Sequence, residues 1–587
     1  SGACRGGEHG NAKQHLVLEL DHGENIMVYT KKSPALLIIG FLLLVWGWLN
    51  ANGSVDDLQS TLQKSAYSDH VKTNEKFQAE LRVATEQAQT EGKPAPEMKK
   101  PASKFDKAKA FQTKLSYTFG GAFTLIGLFI LAWKPKHGNL DYYISTVPGM
   151  ALILLIACVV RWGLDPMFAN WGKAVKDAGV LTWDFAKIFN LNYVVMGILA
   201  GIIIVNVFKI PDWAANGVRT ARLFLKTGVI LLGALYSAAE LAQLGALSVV
   251  MIGFFVLGSV WLVLLMGRRM RCPNSMTGVL SSGLGVCGVS ATVAAAPVVQ
   301  AKAGEIAYTI GTILLWGVGC MFLFPTVGHI LGMGPVQFGA WAGTGILNSA
   351  QVAGAALAFD PHGIETLKVA EIFNITRVLF LPIIVLWLAA WFVKHEEGAK
   401  KVSLRQVVVA KFPLFVLGFI AMFALSSTGV FAPAGHYQGK YFSSAEVKED
   451  KLLKPKEVRA LEAELPKMRN AEETKALQDL VTNRKLSSRE QDNILKSVAK
   501  IEGLDAVAVG AIGNASKAAQ HDSKIIKAFR DWLAWLFAFG LIGLGMQITA
   551  ASIKQAGGKP LIIGSVVGTL KAVGSLIVVL MFVREFI

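Results

Sequence analysis

Two stretches decide how this chain is read: GLGVCGVSATVAAA at residues 283–296 and GTGILNSAQVAGAA at residues 343–356. Both are apolar enough for a bilayer interior, yet each carries three glycines, and a glycine weakens a helix by roughly 1 kcal/mol relative to alanine. Glycine lets the backbone unwind, and at membrane depth an unwound stretch is tolerated only where protein or a water-filled cavity satisfies its amides. The pattern predicts two discontinuous helices. Close packing of helices through small residues would account for the glycines, but less well for Asn348 and Gln351. One apolar stretch, 305–331, separates the two segments, so a simple count makes them run in the same direction. Either they are not symmetry mates or one is re-entrant.

The rest of the chain supports a membrane setting. Of 587 residues 53% are hydrophobic and 17% charged, with a mean hydropathy of +0.46, a balance unlike that of a soluble protein of this length. About 20 apolar residues make a spanning helix, and windows near or above that length recur from 33–50 to 560–583, about thirteen in all. The expected fold is an all-α polytopic membrane protein with inverted repeats, two discontinuous helices and helical external insertions. The net charge of +17 is read as positive residues retained on one face of the bilayer, and no nucleic-acid partner is implied. Lys31 and Lys32 place the N-terminus inside; Lys134 and Lys136, Arg219 and Arg222, Arg268 to Arg271, Lys394 with Lys400, Lys401 and Arg405, and Lys554 with Lys559 then fall on the same side. The five cysteines form no CxxC pair and no metal-ligand spacing, and no cofactor or metal is expected.

This count divides the chain into an N-terminal tail (1–32, with Met27 as a candidate native start), a first membrane anchor (33–50), an external helical insertion (51–114), a transporter core (115–430), a second external insertion (431–528) and a closing pair of spans (529–587). In the second insertion Val458, Leu461, Leu465 and Met468 show heptad-like spacing, and Ser487 with Glu490 reads as a capping box. In the first, Val55, Leu58 and Leu62 repeat the pattern, and the two insertions are expected to pack together as a cap. The glycine pairs Gly233/Gly245 and Gly545/Gly557 share a twelve-residue spacing in helices of opposite direction, the relation expected of an inverted repeat.

The stretch VCGVSATVAAAPVVQAKAGEIAYTIGTILLWGVGCMFLFPTVG, with FGAWAGTGILNSAQVAGAALA, NITRVLFLP, FPLFVLGF and LIGLGMQIT, resembles the YeiH-like sulfate exporter family from about residue 189 onward. The resemblance implies a bacterial inner (plasma) membrane carrier, elevator-like, with crossed interrupted helices. Where the family pattern has His-Asp and a Lys, this chain has Leu347, Asn348 and Asn374. Two asparagines in place of an acid and a base suggest an amide pair where the family has an ion pair, and weaken any proton coupling borrowed from it.

A charge near mid-membrane costs roughly 2.5–3.5 kcal/mol on insertion scales, so Lys571 calls for a partner or a task. Lys226 and Arg377 lie near span ends, from which they could snorkel; the nearby acids are Glu240, Glu305 and Glu371. Helix N-termini bind small anions through orphan N–H groups. The expected substrate site therefore gathers Gly285, Cys287, Gly288, Ser290, Gly345, Asn348, Gln351 and Asn374, with Arg377 or Lys571 as the compensating charge. The substrate is a small anion such as sulfate, a sulfonate or a carboxylate, carried by secondary transport in which sodium or a proton is the coupling ion, in a homodimer. A cation/proton antiporter or a membrane sensor with a ligand-binding cap are the alternatives. Without a Walker-type loop or a convergent nucleophile and base, the chain is not read as an enzyme.

Overall fold

The computed structural model describes residues 33–90, 100–132, 139–182, 184–236, 238–361, 363–396, 414–431, 440–468, 471–499 and 504–583. Expectations resting on residues 1–32, Lys134, Lys136, Lys400, Lys401, Arg405 or the side chain of Glu240 lie outside these residues. The described chain is helical apart from one two-stranded ribbon. Among the described residues six helices are long and apolar enough to cross a membrane: Lys104–Ala132, Tyr142–Asp177, Leu241–Arg269, Ala303–Ile330, Glu365–His395 and Gly558–Phe582. A seventh crossing is available to Ala35–Ala51, which continues into Asp56–Leu62 through a 91° bend.

Not all thirteen expected spans form. The windows 277–300 and 335–358 fold back on themselves. In the first, Asn274–Gly285 ends, three residues turn, and Val289–Ala295 returns alongside it. Ser282 Oγ donates to Ala291 O at 3.1 Å, and a Cβ on Gly278 would stand 2.7 Å from Val299. In the second, Pro335–Gly345 and Ser349–Phe359 are joined by residues 346–348, and the rings of Phe338 and Phe359 stack at 4.0 Å. Both are helical hairpins.

Small residues let the other helices approach. Gly40 and Gly47 face Gly120 and Ser116 across the Ala35–Ala51 and Lys104–Ala132 pair, and a Cβ at Gly40 would come 2.6 Å from the backbone nitrogen of Thr124. This is packing by small residues in place of hydrophobic exclusion, the usual device where lipid is the solvent. At the foot of this pair the first insertion docks by polar contacts. Leu58 is exposed, whereas Gln59 is buried and donates to Asn50 Oδ1 at 2.7 Å and Gln112 Oε1 at 3.0 Å. Within the apolar stripe read at Val55, Leu58 and Leu62, Leu58 is thus turned away from the docking face, which the Gln59 amide occupies to reach its two buried partners.

The second insertion is tied at its neck by antiparallel strands Lys440–Phe442 and Gln520–Asp522. It closes its own core around Leu461, Leu477, Leu480, Leu495 and Ile512. Among the described residues none of 51–114 belongs to that core, so the two insertions share no hydrophobic core there. The helix Arg489–Val498 starts one residue later than the expected box. Ser488 Oγ accepts from Gln491 N at 3.1 Å, and Gln491 Oε1 accepts in return from Ser487 N at 2.7 Å. Gln491 takes the role given to Glu490 because its amide also donates to Ala476 O in the core, at 2.8 Å, which a carboxylate could not do.

Candidate functional site

The helix Ala303–Ile330, about 40 Å long at 1.5 Å per residue, carries the base of one hairpin at each end. At its start Glu305 accepts from Ser275 Oγ at 3.0 Å and from Lys302 N at 2.9 Å, pinning the base of the first hairpin. At its end His329 stacks on Phe359 at 4.3 Å and Gly328 abuts Phe338, holding the base of the second. The hairpins enter from opposite ends and their tips meet. Ser349 N donates to Cys287 O across a long 3.5 Å, and a Cβ on Gly288 would stand 3.0 Å from Asn348 Cα. Gly288 has φ +79°, which only glycine takes without strain.

A buried cation seals each inbound arm. The Lys571 ammonium, on Gly558–Phe582, donates to Leu284 O at 3.2 Å and Gly285 O at 3.0 Å, the last carbonyls of the first arm. Arg377 donates to Ile346 O at the end of the second arm, and also to Asn374 Oδ1 at 3.0 Å and Ser349 Oγ at 3.4 Å. The Asn374 amide passes the interaction on to Glu371 Oε2 at 3.0 Å. Cations at helix C-termini are favoured by the dipole and by the orphan carbonyls. The same helix links both tips, since Trp341 of the second hairpin donates to Ala572 O at 2.9 Å, one residue beyond Lys571. Arg377, Lys571 and Glu371 are each 2% exposed or less, giving two basic side chains to one acidic at the tips.

The structure therefore brings Gly285, Cys287, Gly288, Gly345, Asn348, Gln351, Asn374, Arg377 and Lys571 around one junction. Ser290 is set apart on the outer face of its arm, exposed. Three expectations need correcting. Asn374 hydrogen-bonds Glu371 and Arg377, and Asn348 caps its own helix by accepting from Ala350 N at 3.4 Å, so the two asparagines do not form the suggested pair. Arg377 is fully buried and does not snorkel. The first amides of Ser349–Phe359 are engaged by Cys287 O, Asn348 Oδ1 and Asn348 O, not left bare. Sequence reasoning passed over Ser349 and Gly317. The Gln351 amide lies directly where a Cβ of Gly317 would be, and neither its Nε2 nor its Oε1 has a hydrogen-bond partner among the described residues.

Positive loops also gather at one end. Asn274 donates to His395 O at 3.0 Å and Arg268 reaches the His395 ring at 3.3 Å. Lys559 donates to Arg271 O at 3.3 Å, which adds the loop before the last helix to the same end.

These features define an all-helical, multi-pass membrane protein built around two opposed helical hairpins. The chain belongs to the family described as conserved hypothetical protein 698, whose profile matches residues 148–444, and the resemblance read from the motif residues stands. A UPF0324 membrane protein of Nitratidesulfovibrio vulgaris is 33% identical over 455 residues, covering 77% of this chain and 98% of that one. A second from the same organism is 38% identical over 302 residues, 51% of this chain and 80% of its own length. One from Fusobacterium nucleatum is 30% identical over 243 residues, 40% and 69%. No solved structure matches.

Proposed function

We propose that the protein is a secondary active carrier of a small anion, such as sulfate, a sulfonate or a carboxylate, bound where the hairpin tips meet. The observation that carries this reading is the excess of buried basic side chains over acidic ones at the tips. Among the described residues Lys571 has only carbonyl oxygens as hydrogen-bond partners, and Arg377 shares one carboxylate through Asn374. Such a pair costs several kcal/mol per ion unless compensated, and an anion arriving between the tips supplies the compensation. The contact from Ser349 N to Cys287 O is long and weak. Parting the tips frees that N–H, at the N-terminus of an 11-residue helix, to donate to the anion. Gln351 adds donors that now have no partner.

Hairpins entering from opposite ends suit alternating access, since each can open toward its own side while the other stays shut. In this reading the hairpins are the discontinuous helices of an inverted repeat, and move elevator-like with Ala303–Ile330, Glu365–His395 and Gly558–Phe582. The carrier works as a homodimer in a bacterial inner membrane, with the Arg268 and Lys559 end cytoplasmic, the two insertions external and sodium or a proton as coupling ion. Uptake of labelled sulfate into proteoliposomes under sodium or pH gradients tests it. Native protein should transport, and Lys571→Gln should lower the rate by roughly tenfold or more, as expected for a lost hydrogen bond from a charged group. Transport of cations alone, or no transport of sulfate, sulfonates or carboxylates, would sink the proposal.

A further inference from the structure

A cavity of about 530 Å³ lies away from the hairpin tips, roofed by the second insertion. Its roof is the helix Arg489–Val498, which contributes Arg489, Asp492, Asn493 and Lys496. Its floor comes from two parts of the membrane region: the segment after the second hairpin, with Asp360 and Glu365, and the helix Lys524–Gly545, with Arg530 and Leu533. Tyr193, Leu357 and Phe537 add apolar surface to the floor. The volume suits a small organic ligand.

The charges are mixed, three basic and three acidic side chains around one space. A lone inorganic anion would meet Asp360, Glu365 and Asp492, while a lone cation would meet Arg489, Lys496 and Arg530. One group in the wall is also incomplete. Asp492 is 3% exposed; its Oδ2 accepts from Lys496 Nζ at 2.6 Å, but its Oδ1 is buried without a hydrogen-bond partner among the described residues. A buried acceptor left unpaired costs roughly 1–3 kcal/mol, and a donor from a ligand would remove that cost.

We propose that this cavity is a binding site for a small zwitterion, a molecule with an ammonium and an acid group a few bonds apart. The ammonium donates to Asp492 Oδ1, the acid group faces Arg489 and Arg530, and the short carbon chain rests on Leu357, Leu533 and Phe537. The site stands independently of the anion-carrier reading, because it shares no residue with the tips. A bound zwitterion joins the insertion to the base of the second hairpin and to Lys524–Gly545, and so holds those three parts together.

The test is calorimetric titration of the purified full-length protein with β-alanine, with propionate and sulfate for comparison. β-Alanine should bind roughly tenfold or more tighter than propionate, the difference expected from one charge-assisted hydrogen bond. Asp492→Asn should remove that advantage and leave propionate unchanged. Ala534→Leu fills the cavity from the membrane helix, where it leaves the insertion's core intact, and should abolish β-alanine binding. Absence of β-alanine binding by the native protein overturns the proposal. So does equal binding of propionate, or β-alanine affinity that survives both substitutions. Loss of β-alanine binding in Arg377→Gln would place the zwitterion at the tips and overturn it equally.

Discussion

The two hairpins share a plan and differ in how they are held. The first is braced at its tip by a single ammonium on two carbonyls, from Lys571 to Leu284 and Gly285, and its return arm has seven residues with Ser290 exposed. The second is braced by a planar guanidinium in a chain of three side chains, Arg377, Asn374 and Glu371. Its eleven-residue return arm is buried from Gln351 to Phe359. That arm also touches other helices: Gly354 lies against Ile198 and Leu541, and Asn192 donates to Ala358 O at 2.8 Å. A point charge on carbonyls lets go more easily than a fork fixed in a network, so the tip of the first hairpin is the more weakly held of the two.

The largest expected effect compares the braces directly. Arg377→Leu leaves Glu371 buried without its cation, a loss of about 3–5 kcal/mol. Lys571→Met leaves two carbonyls without a donor but strands no carboxylate, a loss of about 1–3 kcal/mol. Thermal unfolding in detergent should rank them in that order. Glu371→Gln should recover part of the Arg377→Leu loss and none of the Lys571→Met loss. Equal losses, or no recovery, would remove the distinction between the braces.

A smaller effect probes the packing of the second hairpin alone. Gly317→Ala would drive a methyl into the Gln351 amide and should cost about 1–3 kcal/mol. Gly319, on the same helix, has nothing within 4 Å of the added carbon, so Gly319→Ala should be neutral or slightly stabilising. Combining Gly317→Ala with Gln351→Ser should recover most of the loss, since contacting residues couple. Additive losses in the double variant would show that the amide is not what forbids a side chain at 317.

The breaks at residues 286–288 and 346–348 were legible because glycine, cysteine and asparagine interrupt otherwise apolar runs. The fold-back entered only as the alternative that one segment is re-entrant, because it is carried by contacts such as Ser282 with Ala291 and Phe338 with Phe359, which no periodicity encodes. The agreement of the positive loops could not reveal it either. That argument registers only whether the number of crossings between two loops is odd or even, and replacing two spans by two hairpins leaves the parity unchanged. Arg377 and Glu371 stand six residues apart, beyond the spacing of a standard helical pair; Asn374, midway between them on the same helix face, bridges the gap. In the first insertion hydropathy pointed to Leu58, while the docking residue is its polar neighbour Gln59, whose amide reaches Asn50 and Gln112.

The smallest expected effect uses the insertion that overhangs one hairpin and not the other. Glu457 is held below the ordinary carboxylate value by the backbone N–H of Lys454, at 2.8 Å, and the side-chain amide of Asn514, at 2.8 Å. A carboxylate with a lowered folded value adds stability above its unfolded value and loses it as pH falls through the folded one. The insertion should therefore loosen below its ordinary value of about 4.5, by at most about 1 kcal/mol given solvent screening. Hydrogen exchange, corrected for its intrinsic pH dependence, should rise in acid within 455–519, and then at 360–365 across the cavity. The first hairpin, based at the opposite end with Ser275 and Glu305, should keep its protection. Glu457→Gln should exchange at neutral pH as the native protein does in acid, with little further change on acidification. If the first hairpin loosened together with the second, the insertion would not be what distinguishes them, and the difference between the hairpins would reduce to Arg377 and Lys571.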